Sequence, residues 1–245
     1  MTTYLTGYWH VTNNTKHSFH SHYKKFIPKT LKMLRGCNIV FCYDDDNIVS
    51  FIKKHVRTNN IIFKKIPIQS LPSYDLSKYY LKSCKNQNNK GFGVREKGLV
   101  HYKREYKRSG EHSYRSIFSI WTSKILILKD VIEENPFNTE YFAWNDVGIA
   151  KVNKISRKIL TNTYSGNQLS YLKDVSSMKY FGKLLEIPAC FLTASKNTWN
   201  EIIPLYVNEL NENKRSNYAH DEETILNLVY KKNRNLFSGI KFKNY

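Results

Sequence analysis

The run Cys37-Asn38-Ile39-Val40-Phe41-Cys42-Tyr43 constrains the fold more than any other feature, because it is apolar almost without interruption. Such a run reads as a strand covered on both faces. Residues 3–9, TYLTGYW, are aromatic and β-branched and read as another strand. Between the two, residues 16–35 carry Phe19, Tyr23, Phe26, Ile27, Leu31 and Leu34 at helical spacing, with Pro28 expected to split or kink the helix. Asp44, Asp45 and Asp46 follow the run, then a helical pattern of Ile48, Phe51, Ile52 and Val56, then a third strand, NIIFKKI, at 60–66. A β-α-β-α-β order opens a parallel sheet, so the expected class is α/β, Rossmann-like, with a mostly parallel central sheet flanked by helices.

The 245 residues allow one large domain or two small ones. Residues 67–115 hold Pro67, Pro72, an Asn/Gln/Lys-rich patch at 85–90 and the basic stretch REKGLVHYKREYKR at 95–108. They read as an irregular excursion within a single domain, not as a boundary. Order returns at 117–134, where Ile120, Trp121, Ile125, Leu128, Val131 and Ile132 form a helical stripe that Pro136 ends. A strand is expected at 141–144, and two late helices at about 196–212 and 222–232.

The formal net charge of +19 implies an anionic partner, or else a lysine-rich solvated surface with none. Four cysteines without a Cys-x-x-Cys or a disulfide framework fit a reducing, cytoplasmic setting. The N-terminus does not read as a signal peptide, and no run approaches the roughly 18 apolar residues of a spanning helix. Membrane contact, if any, is expected to be peripheral. No zinc-finger, helix-turn-helix or RNA-recognition pattern occurs, which argues against nucleic acid despite the charge and the 18 tyrosines.

The stretch YFAWNDVGI at 141–149 ends an apolar strand in Asn145, Asp146 and Gly148. In open α/β sheets ligands bind beyond the carboxyl ends of strands, where a carboxylate can hold a divalent metal and a glycine lets a ligand approach the backbone. The same residues are also what a plain strand-to-loop turn prefers.

Thr6-Gly7-Tyr8-Trp9, Trp121-x-x-Lys124, Asn135-Pro136-Phe137-x-Thr139, Trp144-x-Asp146-x-Gly148, Asp221-Glu222 with Ile225-Leu226, and the ending from Lys231 to Tyr245 occur in that order. Together they resemble the bacterial HtrL/YibB-type (WlaTC-like) proteins, a group related to GT-A-fold glycosyltransferases. The resemblance implies a GT-A-like domain that moves a sugar from a nucleotide-diphosphate donor to a hydroxyl of a glycan or glycoconjugate. It implies Mn²⁺ or Mg²⁺ on Asp146. His220, next to the acids, could be a further metal ligand or an ordinary loop histidine. Asp221 and Glu222 become candidate catalytic carboxylates. Lys124 would face the donor's phosphates, with Trp121, Asn145 and Gly148 beside it. The last acid of the Asp-x-Asp common in such enzymes is Gly148 here, and a usually glycine-rich segment reads Pro188-Ala189-Cys190-Phe191-Leu192-Thr193-Ala194. An inactive sugar- or partner-binding relative is the alternative this departure raises.

Other readings stay open on residue type alone. Asp221, Glu222 and Glu223 at a helix start also suit the helix dipole. Lys124 sits one turn from Trp121 on a mostly apolar stripe, so it needs an anion or a route to water. Thr6, Gly7 and Tyr8 could cradle a base, or simply belong to the core. Asp44 could hold a ribose or base, or serve with its neighbours as turn and cap. His17, His20 and His22 lack a fourth ligand and read as coincidence. The 95–108 stretch suits a phosphorylated, anionic acceptor or nucleic acid, or is a solvated loop.

Overall fold

The structure, a computed structural model, describes residues 1–14, 23–56, 60–85, 95–152 and 155–241. The His17/His20/His22 pattern, most of the 85–90 patch and the last four residues lie outside these. Strand β1 (Thr2–Tyr8) pairs in parallel with β2 (Asn38–Tyr43), and β2 with β3 (Asn60–Lys65). Helices α1 (Lys24–Met33) and α2 (Asp46–His55) connect them. Pro28 lies inside α1, which runs on to Met33 without the expected split. Asp45 caps α2, its carboxylate accepting from the Asn47 amide at 2.9 Å. β4 (Tyr141–Asn145) joins the other side of β1, again in parallel.

Among the described residues of 67–115, helices stand where the sequence reads as irregular. These are α3 (Ser77–Lys85), α4 (Lys97–Val100), a π-helical stretch over His101–Lys107, and the start of α5 (Glu111–Glu134). Lysines and polar residues dilute the apolar periodicity there, and tertiary packing supplies what periodicity lacks. Tyr80 of α3 stacks on Phe118 of α5 with ring centroids 4.5 Å apart, and its hydroxyl donates to the Leu210 carbonyl at 2.6 Å. Asn135 ends α5 in the left-handed region (φ 39°), and Pro136 prevents its continuation.

The second half closes the sheet. The remaining elements are α6 (Arg157–Thr161), β5 (Leu169–Leu172), a hairpin of β6 (Lys179–Tyr180) and β7 (Lys183–Leu184), β8 (Phe191–Ser195), α7 (Lys196–Asn213), α8 (Glu222–Lys232) and β9 (Phe237–Ile240). The seven strands lie in the order β3-β2-β1-β4-β8-β5-β9. β8 runs antiparallel to both its neighbours, and the other pairings are parallel.

Side chains of the central strands alternate between two cores, as period-two geometry demands. Leu5, Val40, Cys42, Phe142 and Trp144 pack with α3, α5, α7 and α8 on one face. Tyr4, Ile39, Phe41 and Ala143 pack with α1, α2 and α6 on the other. Trp199 is fully buried and donates its Nε1–H to the Phe142 carbonyl at 2.9 Å, fastening α7 to β4. Each such large side chain contributes about 1.5–3 kcal/mol by burial. All four cysteines are free. Among the described residues, no helix is long and apolar enough to cross a membrane.

Candidate functional site

A cavity of about 350 Å³ opens beyond the carboxyl ends of β1 and β4. β1 delivers Gly7, Tyr8 and, just past its end, Trp9; the turn after β4 delivers Asp146, Val147 and Gly148. α5 contributes Trp121 and Lys124, α4 and its π-helical extension contribute Lys97, His101 and Arg104, and the start of α8 contributes Asp221, Glu222 and Glu223. Residues more than 200 positions apart in sequence therefore meet in one pocket.

Lys124 is its electrostatic centre. Only 6% exposed, its ammonium donates to Asp146 Oδ1 at 2.9 Å and to Glu222 Oε1 at 2.8 Å, and lies 5.4 Å from the Trp144 ring centroid. Burial works against its charge, yet the Asp146 and Glu222 carboxylates more than offset this and hold its pKa above the ordinary lysine value. Trp144 Nε1–H also donates to Asp146 Oδ1, at 2.9 Å. Asp146 keeps about a third of its side chain exposed on the cavity rim.

The two predicted catalytic acids differ. Asp221 is the N-cap of α8, with Oδ1 accepting from the Thr224 amide at 2.9 Å. Its Oδ2 lies 2.8 Å from His101 Nε2 and 3.0 Å from Lys97 Nζ. Burial alone would raise it, but Lys97 and His101 outweigh burial and hold its carboxyl well below the usual range. Glu222 is pushed up to about 7 by burial, with Asp221 and Glu223 adding to the rise and Lys124 opposing it. Its Oε2 is buried without a hydrogen-bond partner.

Among the described residues, three other buried polar atoms are similarly unsatisfied: Thr6 Oγ1 and Asn145 Oδ1, which do not line the cavity, and His101 Nδ1. Three of the four thus belong to residues picked from sequence, and the fourth to the ring that contacts Asp221. Unpaired buried groups concentrate where a ligand or water completes the bonding. Asn145 Nδ2 donates to the Asp146 carbonyl at 3.1 Å, which steadies the turn after β4.

Several expected residues serve other ends. Asp44 lies outside this cavity. It accepts from the His10 amide at 3.0 and 3.2 Å and lines a second, smaller recess with His112. His220 also lies outside, because its ring is buried among Tyr80, Tyr180 and Tyr218, with Nδ1 3.2 Å from Thr224 Oγ1. Burial lowers its pKa to about 4. Gly7 is needed by the protein's own packing, since a Cβ there would come within 2.7 Å of the Cys42 carbonyl and the Trp9 ring. Gly148 is not sterically required: its φ is −97°, and a Cβ would meet only Tyr23, at 3.5 Å.

The described residues do not by themselves compose the expected Mn²⁺ or Mg²⁺ site. No group of three His, Cys, Asp or Glu side chains among them converges to hold a metal ion. Asp146 offers one carboxylate, one of whose oxygens already receives Lys124 and Trp144.

Sequence reasoning missed the part played by Lys97, His101 and Tyr23. Lys97 and His101 are four apart and share a helical face, a spacing that the surrounding basic residues masked. Tyr23 lies 4.9 Å from the Tyr8 ring, and together they form an aromatic wall.

Fold and cavity define an α/β protein with a charged, aromatic-walled pocket at the rim of parallel strands. A family model described as "Bacterial protein of unknown function (HtrL_YibB)" matches residues 1–245, and the chain belongs to that family. No curated protein matches it.

Proposed function

We propose that the chain is a glycosyltransferase of GT-A-like type, acting on a nucleotide-diphosphate sugar and a hydroxyl of a glycan or glycoconjugate. The observation that carries this reading is Glu222, a buried carboxyl with an unpartnered oxygen and a near-neutral pKa, joined through Lys124 to Asp146 on the same cavity. A carboxyl poised near neutrality suits a general base. In an inverting transfer, Glu222 Oε2 takes the acceptor's hydroxyl proton as that oxygen bonds the anomeric carbon. The bond from that carbon to the phosphate oxygen breaks, and the nucleoside diphosphate leaves with the electron pair.

Lys124 uses two of its three N–H donors on Asp146 and Glu222, and the third is available to a phosphate oxygen. Its charge would stabilise the leaving group in a site shielded from water. Tyr8, Tyr23 and Trp121 supply faces on which a base or sugar can stack. Asp221, held ionised and fixed by the α8 cap, is a positioning residue for Glu222. The four free cysteines support a reducing, cytoplasmic setting.

The test is a thermal-shift panel of uridine, guanosine and cytidine diphosphates and their sugars, with and without Mn²⁺, on wild type and Asp146→Ala. At least one nucleotide is expected to raise the wild-type melting temperature, and the variant to lose most of that rise. No shift with any nucleotide in either condition would reject the reading.

A further inference from the structure

The hairpin formed by β6 and β7 departs from ordinary turn chemistry. Its two central residues, Phe181 and Gly182, have φ of 48° and 75°. A two-residue turn with both φ positive favours Asn, Asp or Gly, and a bulky aromatic at the first position is disfavoured. Phe181 nevertheless occupies it and is 52% exposed. The turn is held from below by Glu96, a carboxylate buried at 0% exposure, which accepts from the Phe181 amide at 2.7 Å and the Gly182 amide at 3.1 Å. Tyr218 donates its hydroxyl to the same carboxylate. The Phe181 ring leans on Tyr180 and Tyr218, with centroids 4.7 and 4.8 Å away, yet half of the residue stays exposed; an unfavourable conformation held by buried contacts points to function at that position.

The register shows what the hairpin presents. Lys179 pairs with Leu184 and Tyr180 with Lys183. Directly opposed residues share a face. Tyr180 is buried against Tyr218, and Lys183 on the same face is exposed, while Lys179 and Leu184, the latter 61% exposed, share the other face. Lys231 lies over the Tyr180 ring, its ammonium 4.9 Å from the centroid, and so belongs to the Tyr180 side of the hairpin. Among the described residues the exposed large hydrophobics are Met1, Ile62, Tyr79, Phe181 and Leu184, and the last two share this one tip. The chain just before it, Ser176–Met178, lines the cavity.

We propose that the tip of the Phe181/Leu184 hairpin docks the protein on an anionic lipid surface, its two apolar side chains entering the headgroup boundary and Lys179 and Lys183, one on each face of the hairpin, reaching lipid phosphates on either side. Two side chains are too few for a stable protein interface, which buries on the order of 1,000 Å² or more. A soluble polyanion would gain nothing from Phe181 and Leu184. An anionic bilayer rewards both features, and the formal charge of +19 adds attraction from the rest of the surface. The inference does not depend on sugar transfer.

The experiment is co-sedimentation of the full chain with phosphatidylcholine vesicles, with and without phosphatidylglycerol, for wild type, Phe181→Asn and Lys179→Glu/Lys183→Glu. Wild type is expected to sediment with the phosphatidylglycerol vesicles and to remain in solution with phosphatidylcholine alone. Phe181→Asn should bind about ten-fold more weakly or worse, since a large apolar side chain no longer leaves water. Asn suits the turn but gives up the ring contacts with Tyr180 and Tyr218, so binding is compared below the variant's measured melting transition, where lost binding cannot be laid to misfolding. The charge-reversed variant should lose binding as well. Absence of wild-type binding to the anionic vesicles, equal binding to neutral ones, or undiminished binding by Phe181→Asn would each overturn the proposal, the last by showing that net charge alone suffices.

Discussion

Two lysine-centred clusters face the same cavity and do different work. Lys97 bonds Glu223 and lies 3.0 Å from Asp221, whose other oxygen caps α8 and whose Oδ2 also meets His101. This cluster ties α4 to α8 and leaves neither Asp221 oxygen without a partner. Lys124 bonds Asp146 and Glu222, but leaves Glu222 Oε2 unpaired and Asp146 partly open. Adjacent acids in sequence thus acquire opposite proton affinities, Asp221 held low and Glu222 pushed up to about 7. Satisfied charges build structure, whereas an incompletely satisfied one holds chemistry in reserve.

The largest expected effect comes from removing the centre of the second cluster. Lys124→Met strands Asp146 and Glu222 beside each other without their cation, and should cost about 3–5 kcal/mol in chemical denaturation. A loss below about 1 kcal/mol would mean that water already screens the cluster. Asp221→Ala comes next. It removes a cap worth about 0.5–2 kcal/mol and also frees Lys97 and His101, so a total loss of about 2–3 kcal/mol is expected. Asp221→Asn should recover the cap portion.

The pH dependence separates the clusters by sign. Glu222 has a raised folded-state pKa, so between the ordinary glutamate range and about 7 the folded chain holds a proton that the unfolded chain has released. Its contribution makes stability fall as pH rises through that window. Glu222→Gln should remove that slope in pH-dependent melting and change stability at neutral pH by about 1 kcal/mol or less. Asp221 has a lowered pKa, so its contribution is present above the ordinary aspartate range and is lost as pH falls below it. Asp221→Asn should flatten the acid limb only. The smallest effect is expected next to Asp146, outside both clusters. Gly148→Ala should shift stability by no more than about 0.5 kcal/mol, because its backbone is unstrained and the added methyl makes ordinary contact.

What the sequence disclosed, and what it hid, follows the same division. The parallel opening of the sheet was legible because β2 is a near-continuous apolar run bracketed by helical periodicity. Asp146, Lys124, Glu222 and Asp221 were legible from a resemblance in residue order, and they do line one cavity. The cation partners of Asp221 were not legible. Lys97 and His101 sit in a basic stretch whose local composition says loop, while their inward face is fixed by contacts with the N-cap of α8, 120 or more residues away. For His220 and Asp44 residue type left the role open because it is blind to direction: His220 points into an aromatic cluster, and Asp44 turns back onto the His10 amide.

Glu222, proposed as the base of a nucleotide-sugar site, is the residue to test first. The direct measurement is Glu222→Gln against wild type, recording nucleotide-diphosphate affinity by calorimetry and sugar release or transfer from the donor selected by thermal shift. Affinity is expected to stay within about three-fold while turnover falls by roughly 10²–10⁴-fold, the range over which a positioned base acts. Equal turnover by the variant, or loss of affinity in step with turnover, would contradict the role assigned to Glu222.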